Sequence, residues 1–477
     1  MSEKTGEKTV FTWRDGTVTE ASLKQITEGF AGKYGKQKDD LVEVVIGDSA
    51  RSLELNAFRL CKNLKKAVIS DKVTEMNEFA FSWCDSLKEV DLPAGISRIG
   101  ISAFQGCNSL ESIYIPDKVT IIDEQAFSKC TALKEVRLPE SMYWLSNECF
   151  DGCESLEEID IPASVEIIDA MAFSNCTALK EVRFAPEPKL REFGPNAFEG
   201  CTEMDIITPD PFTALERIGG HAFERCSKLS SFTICDNVML IGESAFDGCE
   251  SLSGEIKIPA SLKKFGIKAF ADCRSLEKVT FEKNQKNTVP VGTFACCENL
   301  KSVTGTQWLT EIGAFAFLGC SSLSDITIGL GIAEIGDWAF KGCVKLDLSM
   351  PPALSGKDAF AYVDKCSVHE ADLKGRNEFY SSDVIRIKAE DCLKLAAVDT
   401  ACAVRRAHAD GAVPDDAYEK FNEKLMLFVH GKDDRAVTFD MMDDFDLVYG
   451  TAEFPFSAAG EIVRDKMYML SQEVRVG

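Results

Sequence analysis

Cysteine is the residue type whose number and spacing could carry chemistry in this sequence. The chain contains 19 cysteines beside only 4 histidines. An excess of cysteine can indicate a disulfide framework or a metal site. Regular spacing instead favours one buried position of a structural repeat, because a reduced cysteine packs as a small hydrophobic residue. Thirteen of the cysteines follow each other at steps of 23 to 25 residues, at positions 61, 84, 107, 130, 153, 176, 201, 226, 249, 273, 297, 320 and 343.

Disulfides and metal binding are the two chemical alternatives for these thiols. Bridges between stacked units are geometrically allowed, since parallel strands lie ~4.8 Å apart. Their odd number argues against such bridges. A closed zinc site needs convergent ligands, and the only tight pairs are Cys149 with Cys153 and Cys296 with Cys297. We therefore expect no metal and no cofactor.

The common catalytic motifs are absent from the sequence. It contains no Gly-x-x-x-x-Gly-Lys-[Ser/Thr] phosphate loop, no Gly-x-Ser-x-Gly nucleophile turn and no His-Glu-x-x-His zinc motif. His221 lies within the repeats, and His369, His408 and His430 lie outside them. No histidine stands beside an evident nucleophile in the sequence, so we predict no catalytic residues and no enzymatic activity.

The cysteines belong to a repeat of about 23 residues. A phenylalanine precedes each of the 13 repeat cysteines by three positions, usually as Ala-Phe-x-x-Cys. A fourteenth phenylalanine at the same repeat position, Phe360, has no such cysteine after it. One unit, residues 87–107, reads Leu-x-x-Val-x-Leu-Pro-x-x-Ile-x-x-Ile-Gly-x-x-Ala-Phe-x-Gly-Cys. Its first six residues predict a short strand with one buried side, which the proline ends. Gly106 is expected at positive φ, where the chain turns a corner.

Units of this length cannot bury their own apolar side, so they must stack into one continuous core. The string Ile-Pro-x-x-Val-x-x-Ile-x-x-x-Ala-Phe-x-x-Cys-x-x-Leu-x-x-Ile resembles the BspA-like leucine-rich repeat family, also called the Treponema pallidum type. The resemblance covers residues 41–366. It implies a mainly β solenoid, namely a right-handed leucine-rich repeat superhelix of about 14 coils. Members of that family are known mostly as surface-exposed adhesion and protein-binding molecules, which implies a protein partner.

The two ends of the chain depart from the repeat. Residues 1–40 predict an N-terminal cap, with a hairpin around Asp15-Gly16 and a short helix that carries Leu23, Ile26 and Phe30. Such a cap is needed because a solenoid end exposes its apolar core. Residues 367–477 predict a helical C-terminal cap or interaction module.

The outward residues of the predicted strands form a candidate protein-binding face. The alternative is an ordinary solvated strand face with cross-strand charge and Thr pairs. Tyr114, Arg137 and Arg183 are the expected anchors, because Tyr and Arg commonly dominate interface energy. Tyr143 and Trp144 form a second exposed aromatic pair. The full candidate set is Glu89, Asp91, Tyr114, Glu135, Arg137, Tyr143, Trp144, Asp160 and Arg183.

The repeat is disturbed between Phe173 and Phe223, where two steps lengthen to 25 residues. Inserted residues in a solenoid emerge as a loop, which can serve binding or can be neutral. Five of the 15 prolines crowd into this stretch, at Pro186, Pro188, Pro195, Pro209 and Pro211.

The charge balance narrows the classes of partner. Acidic residues outnumber basic ones by 77 to 53, which gives a net charge of −24. That charge disfavours nucleic acid and anionic membranes, which bind clustered Lys and Arg. With no apolar stretch of leader or membrane-span length, we expect a cytoplasmic monomer. The favoured function is non-catalytic protein binding or scaffolding. The alternatives are a regulatory or catalytic module at residues 367–477 and a secreted or cell-surface adhesion role.

Overall fold

The part of the chain that the computed structural model describes is a solenoid of short strands, and almost no helix occurs in that part. The described residues are 8–21, 38–208, 212–283, 287–326, 334–336 and 339–346. Two short 3₁₀ turns span Lys38–Asp40 and Thr306–Trp308. The strands are β1 (Thr9–Trp13), β2 (Val18–Ala21), β3 (Leu41–Val45), β4 (Ser52–Leu53), β5 (Lys66–Val68), β6 (Glu75–Met76), β7 (Glu89–Asp91), β8 (Arg98–Ile99), β9 (Ser112–Tyr114), β10 (Ile121–Ile122), β11 (Glu135–Arg137), β12 (Trp144–Leu145), β13 (Glu158–Ile161), β14 (Ile167–Ile168), β15 (Glu181–Phe184), β16 (Glu192–Phe193), β17 (Ile206–Thr208), β18 (Arg217–Ile218), β19 (Leu240–Ile241), β20 (Gly254–Ile258), β21 (Lys264–Phe265), β22 (Leu276–Phe281), β23 (Asn287–Val289), β24 (Ser302–Thr304), β25 (Leu309–Ile312), β26 (Asp325–Ile326) and β27 (Glu334–Ile335).

Most coils contribute two strands to two separate series of parallel ladders. The front series contains β3, β5, β7, β9, β11, β13, β15, β17, β20, β22, β24 and β26, and the back series contains the remaining strands from β4 onward. Each series is divided into several short sheets, and within a sheet the adjacent strands of successive coils are parallel and mostly pair in register. The front strands are those that the sequence predicts. The back strands are mostly two residues long, which is too short for a period-two pattern to reveal.

A column of stacked phenylalanines forms the centre of the solenoid. Thirteen rings, from Phe58 to Phe340, follow each other with centroids 5.0–5.6 Å apart and nearly parallel planes. Each ring is almost completely buried. Such offset stacking contributes ~0.5–1.5 kcal/mol per pair beyond the burial of area. The column holds adjacent coils at a constant step.

The repeat cysteines connect each coil to the one before it. Twelve thiols donate a hydrogen bond to the phenylalanine carbonyl of the preceding coil, with Sγ–O distances of 3.1–3.3 Å. Burial raises the pKa of eleven of these thiols, those from Cys84 to Cys320, and that of Cys130 to about 12, so these eleven stay protonated donors. Among the residues described, sixteen cysteines are buried and none is joined in a disulfide. The predicted small buried repeat position is therefore also an inter-coil hydrogen-bond donor.

Each corner of the solenoid uses left-handed backbone near the stacked phenylalanine, usually two residues before it and two residues after it. Gly106 has a φ of 70°, which confirms the prediction for that position. Residues with side chains occupy many equivalent positions, for example Lys129 with a φ of 59° and His221 with a φ of 58°. Left-handed backbone costs such residues roughly 1–2 kcal/mol each, so the stacking of neighbouring coils must offset this cost.

The hairpin expected near the N-terminus closes one end of the front series. Strands β1 and β2 pair antiparallel, and β1 also pairs antiparallel with β3. Phe11 and Trp13 point into the core and are nearly fully buried. The Phe11 ring lies 6.5 Å from that of Phe58 and covers the end of the phenylalanine column.

The predicted fold class, a leucine-rich repeat β solenoid, is confirmed. The thirteen stacked rings define about twelve turns. The fourteenth phenylalanine, Phe360, lies outside the described residues, as do the helix predicted at Leu23, Ile26 and Phe30 and the helical region predicted at 367–477. Those elements and the domain boundaries stay predictions.

Removing one thiol tests the inter-coil hydrogen bond. We expect Cys176→Ala to lower the free energy of unfolding by about 1–3 kcal/mol, since it deletes the donor to the Phe150 carbonyl and leaves a small void. Urea denaturation measures the shift in midpoint. Thr177→Ala, at the exposed neighbouring position, serves as the control and should change stability by less than ~0.5 kcal/mol. Equal midpoints for the two variants would contradict a structural role of the thiol.

One corner also contains a partly buried histidine among carboxylates. The His221 Nδ1 atom lies 2.5 Å from Glu224 Oε2. Burial alone lowers the pKa of His221, but the hydrogen bond and charge of Glu224, together with the charges of Glu243 and Glu199, raise the pKa above its ordinary value. The structure therefore gives His221 a local ion-pair role in its corner.

The raised pKa makes this corner's stability depend on pH. The folded state binds the His221 proton more tightly than the unfolded chain does, so the pair stabilises the fold below pH ~6.5 and loses that effect as pH rises through the folded-state pKa. We expect His221→Asn, which tolerates positive φ, to lower the urea midpoint more at about pH 5.5 than at about pH 8.5. Paired denaturation curves measure this. An equal loss at both pH values, or a larger loss at the higher one, counts against the ion pair.

Candidate protein-binding face

Seven of the nine predicted site residues lie on one surface. They occupy the outward positions of five consecutive front strands, β7, β9, β11, β13 and β15. The inward positions of these strands are buried. We call this surface the front face, and its predicted members are Glu89, Asp91, Tyr114, Glu135, Arg137, Asp160 and Arg183.

Tyr114 and Arg137 form a preorganised pair on the front face. They are register partners on β9 and β11. The Arg137 guanidinium carbon lies 4.7 Å from the centroid of the Tyr114 ring, and Arg137 also forms an ion pair with Asp117 at 3.1 Å. Tyr114 is 56% exposed. The pair therefore presents a large amphipathic surface in a conformation that its own contacts already hold.

Arg183, the third predicted anchor, is engaged within its own chain. It forms ion pairs with Asp160 at 2.6 Å, with Glu158 at 2.8 Å and with Glu181 at 2.9 Å. The hydrogen bond and charge of Arg183 lower the pKa of Glu158. A partner carboxylate would have to compete with these three groups, so Arg183 acts mainly to order the acidic side chains around it.

Tyr143 and Trp144, which the sequence indicated as a second exposed aromatic pair, do not belong to the front face. Trp144 lies on β12 in the back series, and Tyr143 directly precedes it. Both are exposed, at 55% and 43%. The two aromatic residues occupy the stretch between Met142 and Leu145, which are buried, so the chain turns them to the opposite series of strands.

The later part of the front series has a different surface chemistry. Thr280 donates to Glu255 at 2.6 Å and lies 2.8 Å from the Thr304 hydroxyl. Lys278 forms an ion pair with Glu255 at 3.2 Å. The hydrogen bond from Thr280 and the interactions with Lys278 lower the pKa of Glu255. These polar side chains bond to one another, which is the behaviour expected of a solvated strand face.

The disturbed part of the repeat borders a cleft, which the sequence indicated only as an insertion. The cleft has a volume of about 580 Å³. Arg191 and Glu216 form an ion pair in it at 2.9 Å. Pro209 and Pro211 lie outside the described residues. The cleft is lined by Glu166, Pro188, Lys189, Arg191, Ala214, Glu216, Asn237 and Met239.

The described stretches of the chain contain neither a metal-binding group nor a membrane-spanning helix. No group of three or more His, Cys, Asp or Glu side chains there is arranged to hold a metal ion. No helix within the same stretches has the length and apolar character needed to cross a membrane.

Comparison with known proteins identifies the repeat. The model of the BspA type leucine-rich repeat region matches residues 33–156, 97–217 and 216–347. No match is found among curated proteins. Three similar solved structures are a leucine-rich repeat protein from Bacteroides ovatus, with 29% identity, coverage of 66% of this chain and 80% of that chain, and a TM-score of 0.50; a leucine-rich cell surface protein from Faecalibacterium prausnitzii, with 25% identity, coverage of 73% and 93%, and a TM-score of 0.39; and a leucine-rich repeat protein from T. pallidum, with 21% identity, coverage of 50% and 78%, and a TM-score of 0.24.

The matched segments together extend from residue 33 to residue 347, which is more than half of the 477 residues. They coincide with the coils built on the phenylalanine column and the thiol hydrogen bonds. The chain belongs to the BspA type leucine-rich repeat family.

Proposed function

We propose that the chain is a non-catalytic protein-binding protein whose contact surface is the front face around Tyr114 and Arg137. The observation that carries the proposal is the exposed stacking of these two side chains. Tyr and Arg are enriched among the residues that dominate interface energy. Because their mutual contact and Asp117 already restrict them, less side-chain entropy is lost when a partner binds.

The surroundings of the pair indicate the chemistry of the partner. Glu89, Asp91, Glu135 and Asp160 are exposed around it. The whole chain carries a net charge of −24. A basic protein segment is therefore attracted over long range and finds carboxylates at the rim of the site. The partner best suited to this face presents Lys or Arg beside an apolar side chain.

Affinity capture with mass spectrometry tests this function on the full chain. We expect the double substitution Tyr114→Ala with Arg137→Ala to weaken the captured interaction at least ~30-fold, as loss of a central hot spot does. The matched control is Lys257→Ala, an exposed outward position on β20 of the same series. Thermal midpoints of all variants confirm that the solenoid is intact.

Retention of every partner by the double variant would contradict the proposal. That outcome favours the alternative in which residues 367–477 act as a regulatory or catalytic module presented by the repeats. Loss of the same partners by Lys257→Ala would also count against a site centred on Tyr114.

We place this interaction in the cytoplasm, where thiols are kept reduced. The buried cysteines, none of them in a disulfide among the residues described, support that location. Fractionation of the native cells tests it. Recovery of the chain at the cell surface or in the medium would instead support an adhesion role.

A further inference from the structure

The outward residues of the back strands form a second ordered column. One residue per coil contributes to it, at the first position of each short strand from β6 to β18. We call this set the back column. Its sequence along the solenoid is Glu75, Arg98, Ile121, Trp144, Ile167, Glu192 and Arg217.

The centre of the back column is an exposed apolar patch. Ile121, Trp144 and Ile167 are 42%, 43% and 38% exposed on three successive coils. Tyr143 lies beside Trp144 and is 55% exposed. Scattered single apolar residues are normal on a protein surface, but a contiguous group with an aromatic centre marks an interaction site.

The back column complements itself when its order is reversed. With Trp144 as the midpoint, Ile121 and Ile167 exchange places. Arg98 exchanges with Glu192, and Glu75 exchanges with Arg217. Every charged position therefore meets a charge of opposite sign. Within one copy Arg217 already pairs with Glu192 at 3.3 Å and Arg98 with Asp123 at 2.6 Å, so the contacts with the second copy add to these pairs. The constant coil spacing keeps all of these positions in step.

We propose that this column is the interface of a homodimer, in place of the monomer that the sequence favours. A two-fold axis through Trp144, parallel to the back strands, places the column of one copy on the reversed column of a second copy. Such an interface is isologous, with the same patch on both partners. Trp144 packs on its counterpart at the axis, and the isoleucines flank it. At each end of the interface, Arg98 pairs with Glu192 of the other copy, and farther out Glu75 pairs with Arg217.

The neighbouring positions are compatible with this arrangement. In the adjacent column Tyr143 faces its own counterpart, and Glu166 and Arg191 face uncharged Thr120 and Ser97. These contacts bring no like charges together and leave room for additional hydrogen bonds.

The carboxylates of Asp123 and Asp169 are the like charges that the same axis would bring near each other. Both residues are only partly exposed. Asp123 accepts a hydrogen bond from Arg98 at 2.6 Å, and Asp169 accepts one from the backbone of Ala170 at 2.7 Å. Because these groups are engaged locally, the repulsion between them is reduced.

Charge order identifies the occupant as a second copy. A partner that faces the column from Glu75 to Arg217 must present base, acid, apolar, aromatic, apolar, base and acid at steps of one coil. The chain itself provides that order when the column is read from Arg217 back to Glu75. The seven coils span roughly 29 Å at ~4.8 Å per step. The net charge of −24 opposes association at long range. Because the column is short and the net charge repels a second copy, we expect a weak, concentration-dependent dimer.

Complementation between two charge variants of the full chain tests the dimer. Arg98→Glu places carboxylates against Glu192, and Glu192→Arg places guanidinium groups against Arg98. We expect each variant alone to dimerise at least ~10-fold more weakly than the unaltered chain. In an equimolar mixture, both contacts of the mixed dimer again join opposite charges. Sedimentation equilibrium over a wide concentration range should therefore show association restored in the mixture.

The controls separate this interface from folding and from the front face. Trp144→Ala should abolish association, whereas Lys257→Glu on β20 should leave it unchanged. Thermal midpoints identify any variant that is unfolded. A chain that stays monomeric at all concentrations, or a mixture that associates no better than its components, would overturn the proposal. The proposed partner binding depends on Tyr114 and Arg137, so either proposal can fail without the other.

Discussion

The carbonyl oxygen of the stacked phenylalanine is the point on which the rest of the solenoid depends. In one example, the Phe150 carbonyl accepts the Cys153 backbone N–H within its own coil and the Cys176 thiol of the next coil. One atom therefore closes a corner and joins two coils. The stacked rings beside it fix the step between coils. Ala-Phe-x-x-Cys recurs because a substitution at either residue disturbs two coils at once.

This internal constraint leaves the outward positions free to vary. Inward residues of the front strands are apolar throughout, whereas the outward ones change from Tyr114 and Arg137 in the early coils to Thr280 and Thr304 in the later ones. The same holds on the back series, where an aromatic residue at one coil is replaced by a charge two coils away. A single scaffold thus presents two independent surfaces of different chemistry, one acidic with a Tyr–Arg pair and one with an apolar centre.

The sequence was sufficient to predict the repeat, the front strands and the buried cysteine position, because each recurs at the same offset from a phenylalanine. It was insufficient for features that depend on how far the chain turns within a coil. The position of Trp144 on the back series follows from the corner between Pro139 and Leu145, which a period-two pattern does not report. The engagement of Arg183 by three carboxylates depends on contacts between coils and on side-chain conformation, so composition alone could not show it. The acceptor of each thiol was missed for a related reason, since it is a backbone atom of another coil.

The constant step of the phenylalanine column allows the number of repeats to change during evolution. A duplicated unit fits both of its neighbours as well as the original did, so the array can lengthen internally without any change to the hairpin at its end. Binding surfaces that extend over several coils are less tolerant of an inserted unit. One extra coil between Arg98 and Glu192 would keep every buried contact and yet displace all later outward side chains by ~4.8 Å. In this architecture the number of repeats can therefore alter recognition while leaving the fold intact.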